Sequence, residues 1–521
     1  MMTAMPMRTS GAARLGALGG VFAGAAAVSY WLVRPLEGGP AAFDAAASVL
    51  FFDRIAAGRQ LEAWVNTTPK PLLTLIFGAL HAVGHDWRPV SMATVLITAL
   101  SVVLSAELAR RIAGLEAAAF AAVAGVGLLS LQVEASWSYG LPWAFALWLA
   151  AGLMLVRPRP RYGLAGGCLL LAGLVRPETF IFLGVGTVLL GWRAARGPQP
   201  PRGAWLLLLG WLAIVGLCVH DLLLTGDPLW WTRVAAHSVA LNGGRSRSVA
   251  GVVLMSLERL GSMVVLVVAG CGGLAVLLRR RSWIALAGLV AMGPLVVVYV
   301  WLLALARLNV LGHYLDPVDL AVILAAAVGL GFLLAEVRRR LAEAVPRTAG
   351  RAGQALSVGA AVALAVLLST PFSPASSSAR RGIAHEASLA VRIGTVVPML
   401  DGALARGRPG TSIDPGPMGS PDPAAVLALV PRLQVPRLAV DLNLPLSRIA
   451  GLVPAQVDLA RGYPPVGSVV YLDGSVDRAT VGPETAVLRV SEPVVVGAVR
   501  LVPVVADAAK GLWIVKIEAA P

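Results

Sequence analysis

Residues able to do chemistry are few in this sequence, and they stand between apolar runs rather than inside them. Asp44 and Glu134 are carboxylates of the kind that can take a proton from a hydroxyl. Lys70, Arg176, Arg307 and His313 can hold an anionic oxygen by charge-assisted hydrogen bonds. Glu178 follows Arg176 across Pro177, His237 follows the pair Trp230-Trp231, and Tyr314 follows His313. Plainer readings compete with each of these. Arg176 and Glu178 could satisfy each other across their turn, and Lys70 and Arg307 flank helices where long side chains snorkel. Glu134 stands near Ser136, Trp137 and Tyr139, residues that suit a sugar but also furnish aromatic belts. No His/Cys/Asp cluster has the spacing of a metal site, and neither a nucleotide-phosphate loop nor a nucleophile motif occurs.

The elements that must position these residues are membrane helices. Of 521 residues 57% are apolar and only 14% charged, where a soluble globule carries about 25% charged residues. Runs such as Trp205 to Val219, Met263 to Leu278 and Ile284 to Leu305 reach or approach the length that crosses a roughly 30 Å hydrocarbon core. Continuous apolar runs imply helices rather than a barrel.

The net charge of +15 does not indicate nucleic acid, because of where it lies. From Pro371 onward there are 14 Lys/Arg against 12 Asp/Glu, so the excess belongs to the membrane half. There it forms Arg clusters between helices, at Arg110-Arg111, Arg157 to Arg161, Arg193 to Arg202, Arg279 to Arg281 and Arg338 to Arg340. That is a positive-inside pattern. Leu15 to Val33 is long for a signal-peptide apolar region and lacks a convincing cleavage site, so it reads as a retained first helix. Placing the clusters in the cytoplasm leaves the short run Pro71 to Gly84 flat or re-entrant. About eleven crossings follow. They leave the segment 35–70, Gln132 to Gly140, the Arg176-Pro177-Glu178 turn, Thr225 to Glu258 and Arg307 to Asp316 outside. All the candidate residues then share one side, whereas a transporter would place ionisable groups near the bilayer midplane.

Two domains are expected: a membrane domain over 1–371 and an extracytoplasmic α+β domain over 372–521. Pro/Gly-punctuated runs at Gly467 to Leu472, Ala486 to Val490, Val494 to Val505 and Leu512 to Ile517 read as strands, and Ala384 to Leu404 as a helix. Cys168, Cys218 and Cys271 all fall in membrane helices, so the exported domain must rely on a packed core. In the first external segment, Ala42 to Ala57 reads as an interfacial helix with Asp44 at its start. Asp53, nine residues on, is on the opposite face at about 100° per residue.

The order Phe43-Asp44, Arg54-Ile55-Ala56-Ala57-Gly58, Thr68-Pro69-Lys70-Pro71-Leu72-Leu73 and Phe77-Gly78 resembles the GT-C class of polyprenyl-phosphate-sugar-dependent glycosyltransferases. The order looks like the bacterial members that include the lipid A aminoarabinose transferase and the protein mannosyltransferases. Glu134, the Leu174 to Glu178 turn, Gly226-Asp227-Pro228 and Gly312-His313-Tyr314 extend the resemblance over Leu15 to Val337. The chain departs from the class where paired acids are common, since Ala45 and Ala46 follow Asp44.

The resemblance implies inverting transfer of a sugar from a polyprenyl-phosphate donor to an envelope glycan or glycolipid acceptor, in a bacterial plasma membrane. The N-terminus would be cytoplasmic and the C-terminal domain extracytoplasmic. Asp44 and Glu134 would be the catalytic acids. Lys70, Arg176, Glu178, His237, Arg307, His313 and Tyr314 would bind donor phosphate or substrate. No cofactor is identified, and a divalent cation is compatible with the site. A transporter or flippase of a lipid-linked precursor and a non-catalytic envelope scaffold are the alternatives.

Overall fold

The computed structural model describes residues 11–33, 43–56, 70–84, 86–128, 131, 132, 135, 138–195, 201–231, 248–279, 282–305, 312–344, 350–369, 392–404, 427–429, 435–442, 449–451, 459, 464, 466–473, 483–510 and 512–521. Asp44, Arg54 and His313 lie in helical segments there, described by their backbone alone. The chain divides into two compact units. One comprises Met1–Arg34, Thr68–Leu72 and Ser91–Ile383, the other Pro35–Thr67, Leu73–Val90 and Ala384–Pro521.

The helices follow the apolar runs: α1 (Gly11–Val33), α2 (Phe43–Ala56), α3 (Pro71–Gly84), α4 (Arg88–Ala113), α5 (Leu115–Val126), α6 (Leu141–Leu155), α7 (Tyr162–Val175), α8 (Phe180–Ala195) and α9 (Trp211–Thr225). Then come α10 (Val249–Ser262), α11 (Val264–Arg279), α12 (Trp283–Met292), α13 (Pro294–Leu305), α14 (Asp316–Ala344) and α15 (Arg351–Ser369). Five helical stretches among the described residues are long and apolar enough to cross a membrane: Arg88–Ala113, Pro177–Ala195, Ala204–Leu223, Trp283–Leu305 and Asp316–Ala344. Counting the bent pair α10 and α11 as one span makes six. Six further apolar helices, among them α3, α5, α6 and α7, are shorter.

Three expected crossings are therefore less regular than their apolar runs. The run from Arg259 breaks at Met263, where α10 and α11 meet at 83°. Pro294 interrupts the run from Trp283, because a proline has no N–H for the helix ladder. The run from Ala204 opens as a 3₁₀ turn to Gly210 before α9 begins.

Close helix approach in the first unit rests on small residues. A Cβ on Gly273 of α11 would lie 2.1 Å from the backbone oxygen of Ala325 on α14, and one on Gly329 would lie 2.4 Å from that of Ala269. Backbone cannot yield as a side chain can, so larger residues there would force the two helices apart. Some Arg clusters used to orient the chain also make buried pairs. Glu107 accepts from Arg110 and Arg111, while Glu116 takes Arg338 and the Ser357 hydroxyl, joining α5, α14 and α15.

In the second unit, α2 and α3 pack through Gly78, where a Cβ would meet Cγ of Phe52 at 1.9 Å. The C-terminal part has a helix over 392–404 (α16), a short helix α17 (Val435–Asp441) and a six-stranded sheet. Its strands are β1 (Leu427–Leu429), β2 (Ile449–Gly451), β3 (Val469–Asp473), β4 (Val494–Val496), β5 (Val499–Asp507) and β6 (Leu512–Ala519). They run in the order β2-β1-β3-β6-β5-β4. The β2-β1-β3 part is parallel and the rest antiparallel. Val470, Leu472, Leu501, Val515 and Ile517 form its core with Leu488. Arg392 of α16 donates to the buried Asp473 at 2.7 Å, and so does the Tyr471 hydroxyl at 2.9 Å.

Two strand expectations change. Ala486 to Val490 is no strand, because Pro483 starts a 3₁₀ turn that runs to Leu488 and delivers that side chain to the core. The run from Val494 to Val505 is a hairpin, reversed at the two-residue loop Gly497-Ala498 with Gly497 at φ 60°.

Candidate functional site

Pro177 organises the first polar cluster. The residue before a proline is driven from helical to extended backbone, so α7 ends at Val175 and Arg176 stands at φ −144°, ψ 117°. That conformation turns the Arg176 side chain onto Glu178, two residues on. Its Nη2 donates to Oε1 at 3.0 Å and its Nε to Oε2 at 3.3 Å. Arg176 is buried, and the pairing across the turn that the sequence allowed is present. Thr179 Oγ1 donates to the Arg176 carbonyl at 2.8 Å and accepts from Trp148 Nε1 at 3.1 Å, which ties the turn to α6. Lys70, also buried, stands at the start of α3 and acts electrostatically on Glu178.

A second cluster adjoins it. Tyr299 of α13 is within electrostatic reach of Glu178, Arg176 and Tyr314, and its ring meets Phe180 edge-on at 5.3 Å. Tyr314 lies in the 3₁₀ turn Gly312–Leu315 that leads into α14 and packs against the apolar group around Ile181, Val252 and Leu315. At the start of α14, Asp316 and Asp319 are both buried and both receive Arg259 of α10. The Nε of Arg259 donates to Asp319 at 2.7 Å and its Nη2 to Asp316. Asp316 is in turn within electrostatic reach of Arg176.

Lys70, Arg176, Glu178 and Tyr314 are thus brought into one neighbourhood, and His313 has its backbone in the same turn. Asp44 is the second residue of α2, as expected of an acid at a helix start, and belongs to the second unit. Glu134, His237 and Arg307 lie outside the described residues. Asp227 caps its own turn, accepting from the Leu229 N–H at 3.1 Å. Sequence reasoning missed Arg259, Asp316, Asp319 and Tyr299. The available signal was two acids three apart at the head of a long apolar helix, together with an arginine inside an apolar run. Such acids ionised in an apolar setting demand a cation. Among the described residues no group of three or more His, Cys, Asp or Glu is placed to hold a metal ion.

An apolar cavity of about 640 Å³ lies within the first unit, lined among others by Leu108, Trp148, Phe182, Leu189, Trp192 and Met292. Trp148 belongs both to its wall and, through Thr179, to the Arg176 turn.

No family model matches the chain, and no curated protein matches its sequence. Solved structures do match its fold. The crystal structure of ArnT from Cupriavidus metallidurans in the apo state aligns over 98% of this chain and 100% of its own, with a TM-score of 0.54 at 15% identity. The same protein bound to undecaprenyl phosphate gives 0.52 over 96% and 98%. The apo oligosaccharyltransferase of Archaeoglobus fulgidus gives 0.53 at 12% identity, over 88% of this chain and 69% of that one. The chain has a GT-C-like fold. The likeness runs through the membrane helices and the C-terminal region alike, since it covers nearly the whole chain.

Proposed function

We propose that this GT-C-like chain is a membrane glycosyltransferase that moves one sugar, with inversion, from a polyprenyl phosphate to an extracytoplasmic envelope glycan or glycolipid. One observation carries the reading. A polar cluster holding Lys70, Arg176 and Arg259 adjoins, through Thr179 and Trp148, an apolar cavity of about 640 Å³. A ligand with an anionic head and a long apolar tail suits such a pair of surfaces. ArnT, of the same fold, has been crystallised with undecaprenyl phosphate.

In this reading the acceptor hydroxyl attacks the anomeric carbon from the face opposite the phosphate. The new C–O bond forms as the bond to phosphate breaks, and the phosphate leaves with the electron pair. A lipid phosphate is already a good leaving group, so no strong general acid is required. What helps is a carboxylate to accept the hydroxyl proton and cations to stabilise the growing negative charge. Asp44 takes the proton, and Glu134 orients a sugar hydroxyl. Lys70, Arg176, Arg307 and His313 hold the phosphate, with Glu178, His237 and Tyr314 completing the substrate contacts.

The chain would sit in a bacterial plasma membrane with its N-terminus in the cytoplasm and its C-terminal domain outside. The five long helices, the bent pair and every short apolar helix except α3 would supply eleven crossings.

The test is transfer of radiolabelled sugar from a panel of polyprenyl-phosphate sugars to an envelope fraction, with wild type beside Asp44→Asn and Arg176→Gln. Wild type should transfer from one donor, and Asp44→Asn should lose at least about 100-fold in rate while remaining folded. Transfer from none of the donors, or full activity in Asp44→Asn, would return the reading to a transporter or scaffold.

A further inference from the structure

In the second unit, a buried charge and a buried aromatic ring from distant parts of the sequence lock onto each other. Trp87, in the link between α3 and α4, is 5% exposed, and Arg437 of α17 is 4% exposed. The guanidinium of Arg437 lies over the Trp87 ring, 4.4 Å from its centre. Asp441 fixes both partners with its two oxygens. Oδ1 accepts from Trp87 Nε1 at 2.9 Å, and Oδ2 accepts from Arg437 Nε at 2.7 Å. His81 of α3 covers the ring from another side, with 4.7 Å between ring centres.

This is a costly way to make a tether. Burying a guanidinium demands compensation that a purely apolar contact would not need. What the arrangement adds is geometry: a planar stack and a shared carboxylate fix distance and angle together. The fixed parts lead to α2. That helix packs on α17 directly, and it packs on α3 through Phe52 over Gly78. Its residues Ala45, Ala46, Val49 and Leu50 are buried, so α2 is held rather than lying loose.

We propose that Trp87, Arg437 and Asp441 are positioning residues for α2, so that the C-terminal region takes part in the reaction by holding the helix that carries Asp44. The proposal rests on the glycosyltransferase reading above, in which Asp44 is the base. A base must stand within hydrogen-bond reach of its proton, and misplacement by about 1 Å can cost roughly 100-fold in rate.

The experiment uses the full-length purified chain as wild type, Arg437→Ala, Arg437→Lys and Trp87→Phe. Two readouts are taken: kcat and donor KM in the transfer assay, and hydrogen exchange of the α2 and α14 amides. In Arg437→Ala, kcat per folded molecule should fall about tenfold or more while donor KM stays within about twofold. Amides of α2 should exchange faster, and those of α14 should not change. Arg437→Lys keeps the charge without the planar stack and should fall between. If Arg437→Ala does not fold, the same two readouts on Arg437→Lys and Trp87→Phe decide.

Unchanged α2 exchange, or unchanged kcat per folded molecule beside a lowered melting temperature, would overturn the proposal and leave the clasp a plain structural contact. Wild type that transfers no sugar would sink the enzymatic reading instead. The exchange arm would then still decide whether the clasp holds α2.

Discussion

Arg259 and Arg437 are both buried arginines, and their surroundings answer the same problem differently. Arg259 meets two buried carboxylates, Asp316 and Asp319, so its support is ionic on both sides. Among the described residues Arg437 meets the Asp441 carboxylate and an aromatic face, so part of its support is not ionic. In one place the guanidinium bridges two acids, in the other it stacks on a ring beside Asp441, and breaking a buried pair costs more the more charge it leaves unpaired.

Removing each arginine is the sharpest way to break that comparison. Arg259→Ala strands two buried carboxylates and should cost about 3–5 kcal/mol in thermal unfolding in detergent. Neutralising both acids in the same chain, with Asp316→Asn and Asp319→Asn, should recover much of that loss. If Arg259→Ala alone is harmless, the carboxylates do not depend on it. Arg437→Ala should cost less, about 1–3 kcal/mol, because Asp441 keeps the Trp87 N–H and has some access to water. Equal losses at the two sites would erase the distinction. Trp87→Phe keeps a ring under Arg437 and removes one hydrogen bond, so about 1 kcal/mol is expected in the same measurement.

The smallest effect separates the two clusters by pH. Burial first, then Arg437, holds the His81 imidazole below its ordinary value of 6.5, against opposing pulls from Asp53, Asp441 and Asp86. The folded state therefore favours neutral His81. Its contribution is full above pH 6.5, shrinks as pH falls below that value, and levels off past the lowered folded value. Burial raises the Asp53 carboxyl above 3.8, which acts with the opposite sign in the window starting there. The His81 contribution to melting should fall as pH drops below 6.5, so the difference in melting temperature between wild type and His81→Asn should change between about pH 7.5 and about pH 5.5. An unchanged difference would remove His81 from the clasp.

Much of the helical scaffold was legible because lipid imposes a simple rule. Apolar runs must be helical, so Pro71 to Gly84 and Tyr162 to Val175 were read with the bounds they have. Pro177 sets the Arg176 turn locally, which is why the Arg176–Glu178 pair was legible. The bend at Met263 was not legible, since hydropathy records length and not direction, whereas Pro294 marks its own interruption of the run from Trp283. Strand runs fared less well. Ala486 to Val490 and Val494 to Val496 are both short apolar runs, and only their partners in the sheet show that the second is a strand and the first is not.

The sequence by itself determined a polytopic helical chain with a mixed C-terminal part, because composition and run length answer to solvent alone. It also determined Asp44 at a helix start and the Arg176-Pro177-Glu178 turn, which depend on neighbours within a few residues. Tertiary structure alone decided which distant charges meet. Arg259 is 60 residues from Asp319, and Trp87 is 354 from Asp441. A buried charge is tolerated only where a partner arrives across the fold, and no local pattern announces that arrival.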